Sequence, residues 1–155
     1  MVIDYIGGKI NNQFSVSAEE VVMKHNLIRA HQSLSWVILV CCVLQFFYAG
    51  LAVFGVTDFG LHALGGAVLA LLALLNLGLA FANRPLLKRT ALFLGLMIIQ
   101  GGLVHLREIL PIVAAIHPVN GLALLYVAYG LARAPRPDLE LTPAARQTRD
   151  VSVAR

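Results

Sequence analysis

Four long apolar runs, each separated from the next by two or three polar residues, set the pattern of this chain. They cover residues 35–56, 59–82, 86–106 and 109–132, and the breaks between them are Thr57-Asp58, Asn83-Arg84-Pro85 and Arg107-Glu108. A helix crosses a bilayer with about 20 mostly apolar residues, and each run is long enough. None alternates with period two, which argues against a membrane barrel. Helices are the other way to satisfy backbone N–H and C=O groups in hydrocarbon. Links this short predict an up-down-up-down course. The expected fold is therefore all-α, an integral membrane antiparallel four-helix bundle.

Ahead of the first run, Ser17-Ala18-Glu19-Glu20 has the form of a capping box, and no Gly or Pro interrupts the chain between it and Gly50. Val21, Val22, His25 and Ile28 give this stretch an apolar face. It is expected as an N-terminal interfacial helix on the cytoplasmic surface, with a plain extension of span one as the alternative. The organisation is then a cytoplasmic segment over 1–33, the bundle over 34–132 and a flexible cytoplasmic tail over 133–155. Pro135, Pro137 and Pro143 mark that tail.

Composition agrees with lipid as the solvent. Of 155 residues, 59% are hydrophobic and 13% charged, with a mean hydropathy of +0.79; a soluble domain carries about 25% charged residues. A water-soluble globule, a disordered chain and a disulfide-stapled secreted domain are excluded. The net charge of +4 does not indicate nucleic acid, because the basic residues punctuate the apolar runs and form no stripe. Eleven of the twelve lie in the three regions that share one side of an even-numbered bundle, and Arg107 alone lies opposite. Both termini are expected on the cytoplasmic side of the cell membrane. No cleavable leader is expected, since some thirty residues containing Asp4, Glu19 and Glu20 precede the first run. Cys41 and Cys42 are adjacent and fit neither a disulfide nor a C-x-x-C site.

The histidines carry the candidate chemistry. His25 and His31 precede span one and are expected to be solvated or interfacial. His62, His105 and His117 lie toward the opposite face, where an ionisable residue in a span is a functional hypothesis. His62 and His117 each begin an H-x-x-x-G string, ending at Gly66 and Gly121, on spans that run parallel. This suggests a repeated helical hairpin. Each Gly lies one turn below its His on the same face, and its missing side chain leaves a slot suited to a planar macrocycle. Two neutral imidazoles would fill both axial positions of a haem iron; the alternative for the pair is interhelical hydrogen bonding. Arg107 is a candidate partner for haem propionates, or an ordinary charge paired with Glu108. His105 is a further ligand, a hydrogen bonder to the cofactor edge, or an interfacial residue. Gln100 is expected to bond a neighbouring helix or a bound ring edge, and Asn76 and Asn120 to join helices. Gly101-Gly102 is expected at a close helix contact, and Pro118 at a kink or break beside His117. There is no phosphate loop, no H-E-x-x-H, and no carboxylate pair within a span.

Gln100-Gly101-Gly102-Leu103-Val104, followed by Leu110-Pro111 and Ile116-His117, resembles the haem A synthase family. That family shows a similar Q-x-G-G pattern, an outer Leu-Pro segment and a ligand His early in the next helix. Span two, with His62 near its outer end, is similar to the preceding helix of the same half. The resemblance covers about residues 34–132 and implies one four-helix half of an eight-helix architecture, with paired His holding a haem near the outer face. The family's Glu, three residues before the ligand His, has Phe59 in its place here, with Asp58 one step further away. The resemblance thus implies a bis-histidine haem bundle with no catalytic activity of its own.

The leading expectation is a haem b protein or redox-complex subunit that transfers electrons, with a quinone as a possible partner. The alternatives are a chlorophyll-type pigment on the same histidines, or a cofactor-free structural subunit. Besides the lipid bilayer, partner membrane subunits or a homodimer are expected; nucleic acid is not.

Overall fold

A computed structural model describes residues 18–135. Those residues are helical throughout, with short turns between: α1 (Ala18–Val53), α2 (Gly60–Ala80), α3 (Arg84–His105), the single turn α4 (Pro111–Ala114) and α5 (His117–Ala132). Four segments are long and apolar enough to cross a membrane, the fourth being Pro111–Ala132 with α4 and α5 together. The tail expected over 133–155 falls outside the described residues after Pro135, as does Ser17 of the capping box.

α1 runs unbroken for 36 residues, about 54 Å at 1.5 Å per residue. The expected turn between a surface helix and span one is absent, and the segment from Ala18 continues that span. It ends in a Schellman motif: Val56 N–H bonds Leu51 C=O at 2.9 Å, Gly55 N–H bonds Ala52 C=O at 3.1 Å, and Gly55 has φ +71°. Asp58 Oδ1 then accepts from Gly60 N–H at 2.8 Å and opens α2. Pro85 and Pro118 occupy the first turns of α3 and α5, where the missing N–H costs nothing. Pro118 therefore marks a helix start just after a break, not a kink within a continuous span.

Each helix buries one stripe at intervals of three or four residues. On α1 it is Ile28, His31, Ser35, Ile38 and Cys42; on α2, Leu69, Ala73, Asn76 and Ala80. On α3 it is Leu86, Thr90, Phe93 and Met97, and on α5 it is Asn120, Leu124, Ala128 and Leu131. Both α1 and α3 pack against α2 and α5, which puts α2 and α5 on a diagonal. The outward faces are apolar as well: Leu71, Leu75, Ile98, Ile99, Leu122 and Tyr126 are exposed, while His31, Gln32, Asn76 and Thr90 are buried. Helices apolar on the outside with polar groups inside suit a bilayer environment, and the chain reads as a multi-pass membrane protein.

The two hairpins repeat each other at a step of 55 residues. Ser35 and Thr90, Ile38 and Phe93, Cys42 and Met97, Leu69 and Leu124, and Ala73 and Ala128 are all buried pairs at that spacing. His62 and His117 are separated by the same step, as are Gln45 and Gln100.

Candidate functional site

His62, on the first turn of α2, and His117, the first residue of α5, meet across the diagonal. Their ring centroids are 6.0 Å apart and the ring planes are inclined at 64°. Phe59 packs edge-on against His62, centroids 6.3 Å apart. Both imidazoles are anchored alike. His62 Nδ1 lies 3.1 Å from the carbonyl oxygen of Gln45 on α1, and His117 Nδ1 lies 3.2 Å from that of Gln100 on α3. A carbonyl only accepts, so each Nδ1 carries the proton and each Nε2 presents a lone pair. That is the arrangement of a metal-ligating histidine, whose other nitrogen donates to a backbone carbonyl.

The surroundings of His117 form a determined chain of donors and acceptors. Asn120 Nδ2 donates to Leu96 C=O at 3.0 Å and to Gln100 Oε1 at 2.7 Å. That orients the Gln100 amide so that its Nε2 donates to His117 Nε2, 3.0 Å away. Asn120 thus joins α5 to α3, and Asn76 joins α2 to α1 through Ser35 Oγ at 3.1 Å, as expected of both. Gln100 also acts as expected, on a neighbouring helix.

The glycines divide differently from the sequence expectation. A methyl on Gly121 would meet Phe46 Cζ at 3.3 Å and Gln100 Nε2 at 3.6 Å, so the room it leaves holds those side chains. On α2 it is Gly65 that makes way, for the Gln45 side-chain amide, while Gly66 faces open space. Gly101 and Gly102 also face open space and make no close helix contact.

His105 and Arg107 do not join the pair. Both are exposed, and Arg107 Nη2 faces Glu108 Oε1 at 3.6 Å with side chains 72% and 81% exposed. Among the described residues, no three His, Cys, Asp or Glu side chains gather as a metal-holding group.

A second polar cluster lies some 14 residues earlier on α1, about 21 Å along the helix. It corrects the expectation for His31, whose ring is wholly buried. Thr90 Oγ1 donates to Leu86 C=O at 3.0 Å, so it accepts from His31 Nε2–H at 3.1 Å. His31 Nδ1 then accepts from Asn83 Nδ2 at 3.3 Å. Both nitrogens are used, leaving no lone pair for a ligand, and His31 is a structural crosslink between α1, α3 and the α2–α3 turn. Gln32 Nε2 donates to the carbonyls of Leu131 and Ala132, capping the last turn of α5. Ser35 Oγ donates to His31 C=O at 2.8 Å.

Sequence reasoning passed over Gln45, and of the second cluster it passed over Gln32 and Thr90 and placed His31 at the interface. The signal for Gln45 was available: a Gln stands 17 residues before each of the two histidines. Compared with family models, with curated proteins and with solved structures, the chain matches none.

Proposed function

We propose that this chain is a haem b-binding membrane protein of the cytochrome type, in which His62 and His117 would hold the iron. One observation carries the reading: imidazoles from diagonal helices, each with Nδ1 on a carbonyl of the neighbouring helix, with centroids 6.0 Å apart. A metal between two facing imidazoles, with bonds of about 2 Å to each nitrogen, separates the ring centroids by about 6 Å. The donor set fits iron in a macrocycle, and a pair without a third protein ligand is what a haem requires. The ring plane would take the room now held by Phe46 and by the side chains of Gln45 and Gln100, which rotate on single bonds. Gly65 and Gly121 leave that room.

When bound, such a group would supply one-electron transfer. The rest of the reading is topological. The contacts of Gln32 with the end of α5, and of His62 with the latter part of α1, support an antiparallel course. The basic residues then put both termini in the cytoplasm and the histidine pair toward the outer face. Synthase activity is not part of the proposal, because Phe59 stands where the resembling family has a carboxylate.

The test is a reduced-minus-oxidised spectrum of the protein purified in detergent from cells supplied with a haem precursor. Sharp bands of a six-coordinate low-spin haem are expected, and His62→Ala with His117→Ala should remove them. A protein that carries no haem, before or after titration with hemin, refutes the reading. Extraction of a magnesium ring would replace iron with a pigment.

A further inference from the structure

The two halves of the site are not equivalent, although the His62–His117 and Gln45–Gln100 pairs repeat. On the α3–α5 side, Gln100 donates its amide N–H to His117 Nε2. On the α1–α2 side, the Gln45 amide lies over Gly65, and no hydrogen bond joins it to His62. The difference that bears on the two glutamines lies at one pair of positions: the residue 55 places beyond Gly65 is Asn120. Asn120 grips the Gln100 oxygen and turns the nitrogen onto His117; Gly65 has no side chain with which to grip Gln45.

His117 Nε2 has a single lone pair in the plane of the ring. It accepts the Gln100 N–H or it binds a metal, and it cannot do both. We propose that Gln100, held by Asn120, is a latch that makes His117 the displaceable ligand of the site and His62 the standing one. The inference rests on the haem reading above and adds its regulation. Engaging His117 breaks the hydrogen bond between Gln100 Nε2 and His117 Nε2 and forms the bond from that lone pair to the metal. No proton or electron is transferred, since Nδ1 keeps its proton on the Gln100 carbonyl throughout. Asn120 stays bound to Leu96 C=O in both states, so the amide has a fixed place to which it returns.

The experiment uses the full chain in detergent, titrated with hemin and compared with Gln100→Leu, Asn120→Ala, His62→Ala and His117→Ala. Removing the competing N–H with Gln100→Leu should tighten binding roughly fivefold, the worth of one ordinary hydrogen bond. Asn120→Ala should move affinity in the same direction by less. His117→Ala should retain hemin with a spectrum of one bound imidazole, and His62→Ala should bind it roughly fivefold more weakly than His117→Ala. Weaker binding in both Gln100→Leu and Asn120→Ala, or equal loss in the two histidine variants, overturns the latch while leaving the haem reading intact. ¹⁵N-histidine spectra of the haem-free protein supply a readout that needs no haem. The His117 Nε2 signal should be that of an unprotonated acceptor and should shift in Gln100→Leu; a protonated Nε2, or no shift, overturns the latch. Failure of every form to take up hemin overturns the haem reading instead.

Discussion

The buried contact between His31 and Thr90 lends itself to a double-mutant cycle with a calculable sign. In Thr90→Val the shape is kept, but the acceptor for His31 Nε2–H is lost. The ring is 0% exposed, so no water replaces it. Stranding a buried donor costs about 1–3 kcal/mol in proteins generally, whereas interhelical hydrogen bonds inside membranes average about 0.6 kcal/mol and reach about 1.7. Full burial and the second bond from Asn83, which fixes the ring, place this pair toward the upper part of the membrane range, about 1–1.5 kcal/mol. His31→Leu strands a different group, the Asn83 amide. Thr90 is unaffected by it, because its hydroxyl still donates to Leu86. Adding Thr90→Val to His31→Leu then strands no imidazole N–H, and the second step should cost at least 1 kcal/mol less than the first made alone. Unfolding in mixed detergent micelles, followed by circular dichroism, measures all four corners. Additive costs within about 0.3 kcal/mol would refute the bond and the tautomer assigned to His31.

Four further outcomes follow from the same geometry. Gly66→Ala should be neutral or stabilising by up to about 1 kcal/mol, since Ala is the better helix former and the site is open. Gly65→Ala, one residue earlier, should be the less stable of the two in the same unfolding assay because the methyl displaces the Gln45 amide. Gly55→Ala should lower stability by about 1 kcal/mol through the left-handed backbone that closes α1. Arg107→Ala should change stability by less than about 0.5 kcal/mol and leave any haem spectrum unaltered, given the exposure of its pair with Glu108.

The spans were legible because bilayer thickness sets a length and hydrocarbon forbids loose backbone; the apolar runs and the helices agree to within a few residues at most ends. The inward face of each helix was not legible. Leu and Ala surround every span, and the contrast that marks the buried side of a soluble helix is missing here. His31 illustrates the consequence. Counting the first span from Ser35 left His31 and Gln32 outside the bundle, whereas both are polar because they bond other helices within it. Of the site, the His62–His117 pair followed from the repeated H-x-x-x-G string. Gln100 was singled out there too, but its orientation depends on Asn120 and Leu96, three-dimensional neighbours that spacing does not reveal. Arg107 was read toward the site as the sole basic residue of the outer side and His105 as its neighbour, and both are exposed.

The 55-residue step between the hairpins has a consequence for how such a chain could come about. A unit of two spans leaves and re-enters the bilayer from the same face, so a tandem copy inserts in the orientation of its template and needs no inversion. One hairpin gene could serve first as a symmetric pair and later, once fused, let its two copies diverge. Glycine at 65 and asparagine at 120 are what such divergence would leave behind: a pair of histidines kept alike while side chains beside them changed.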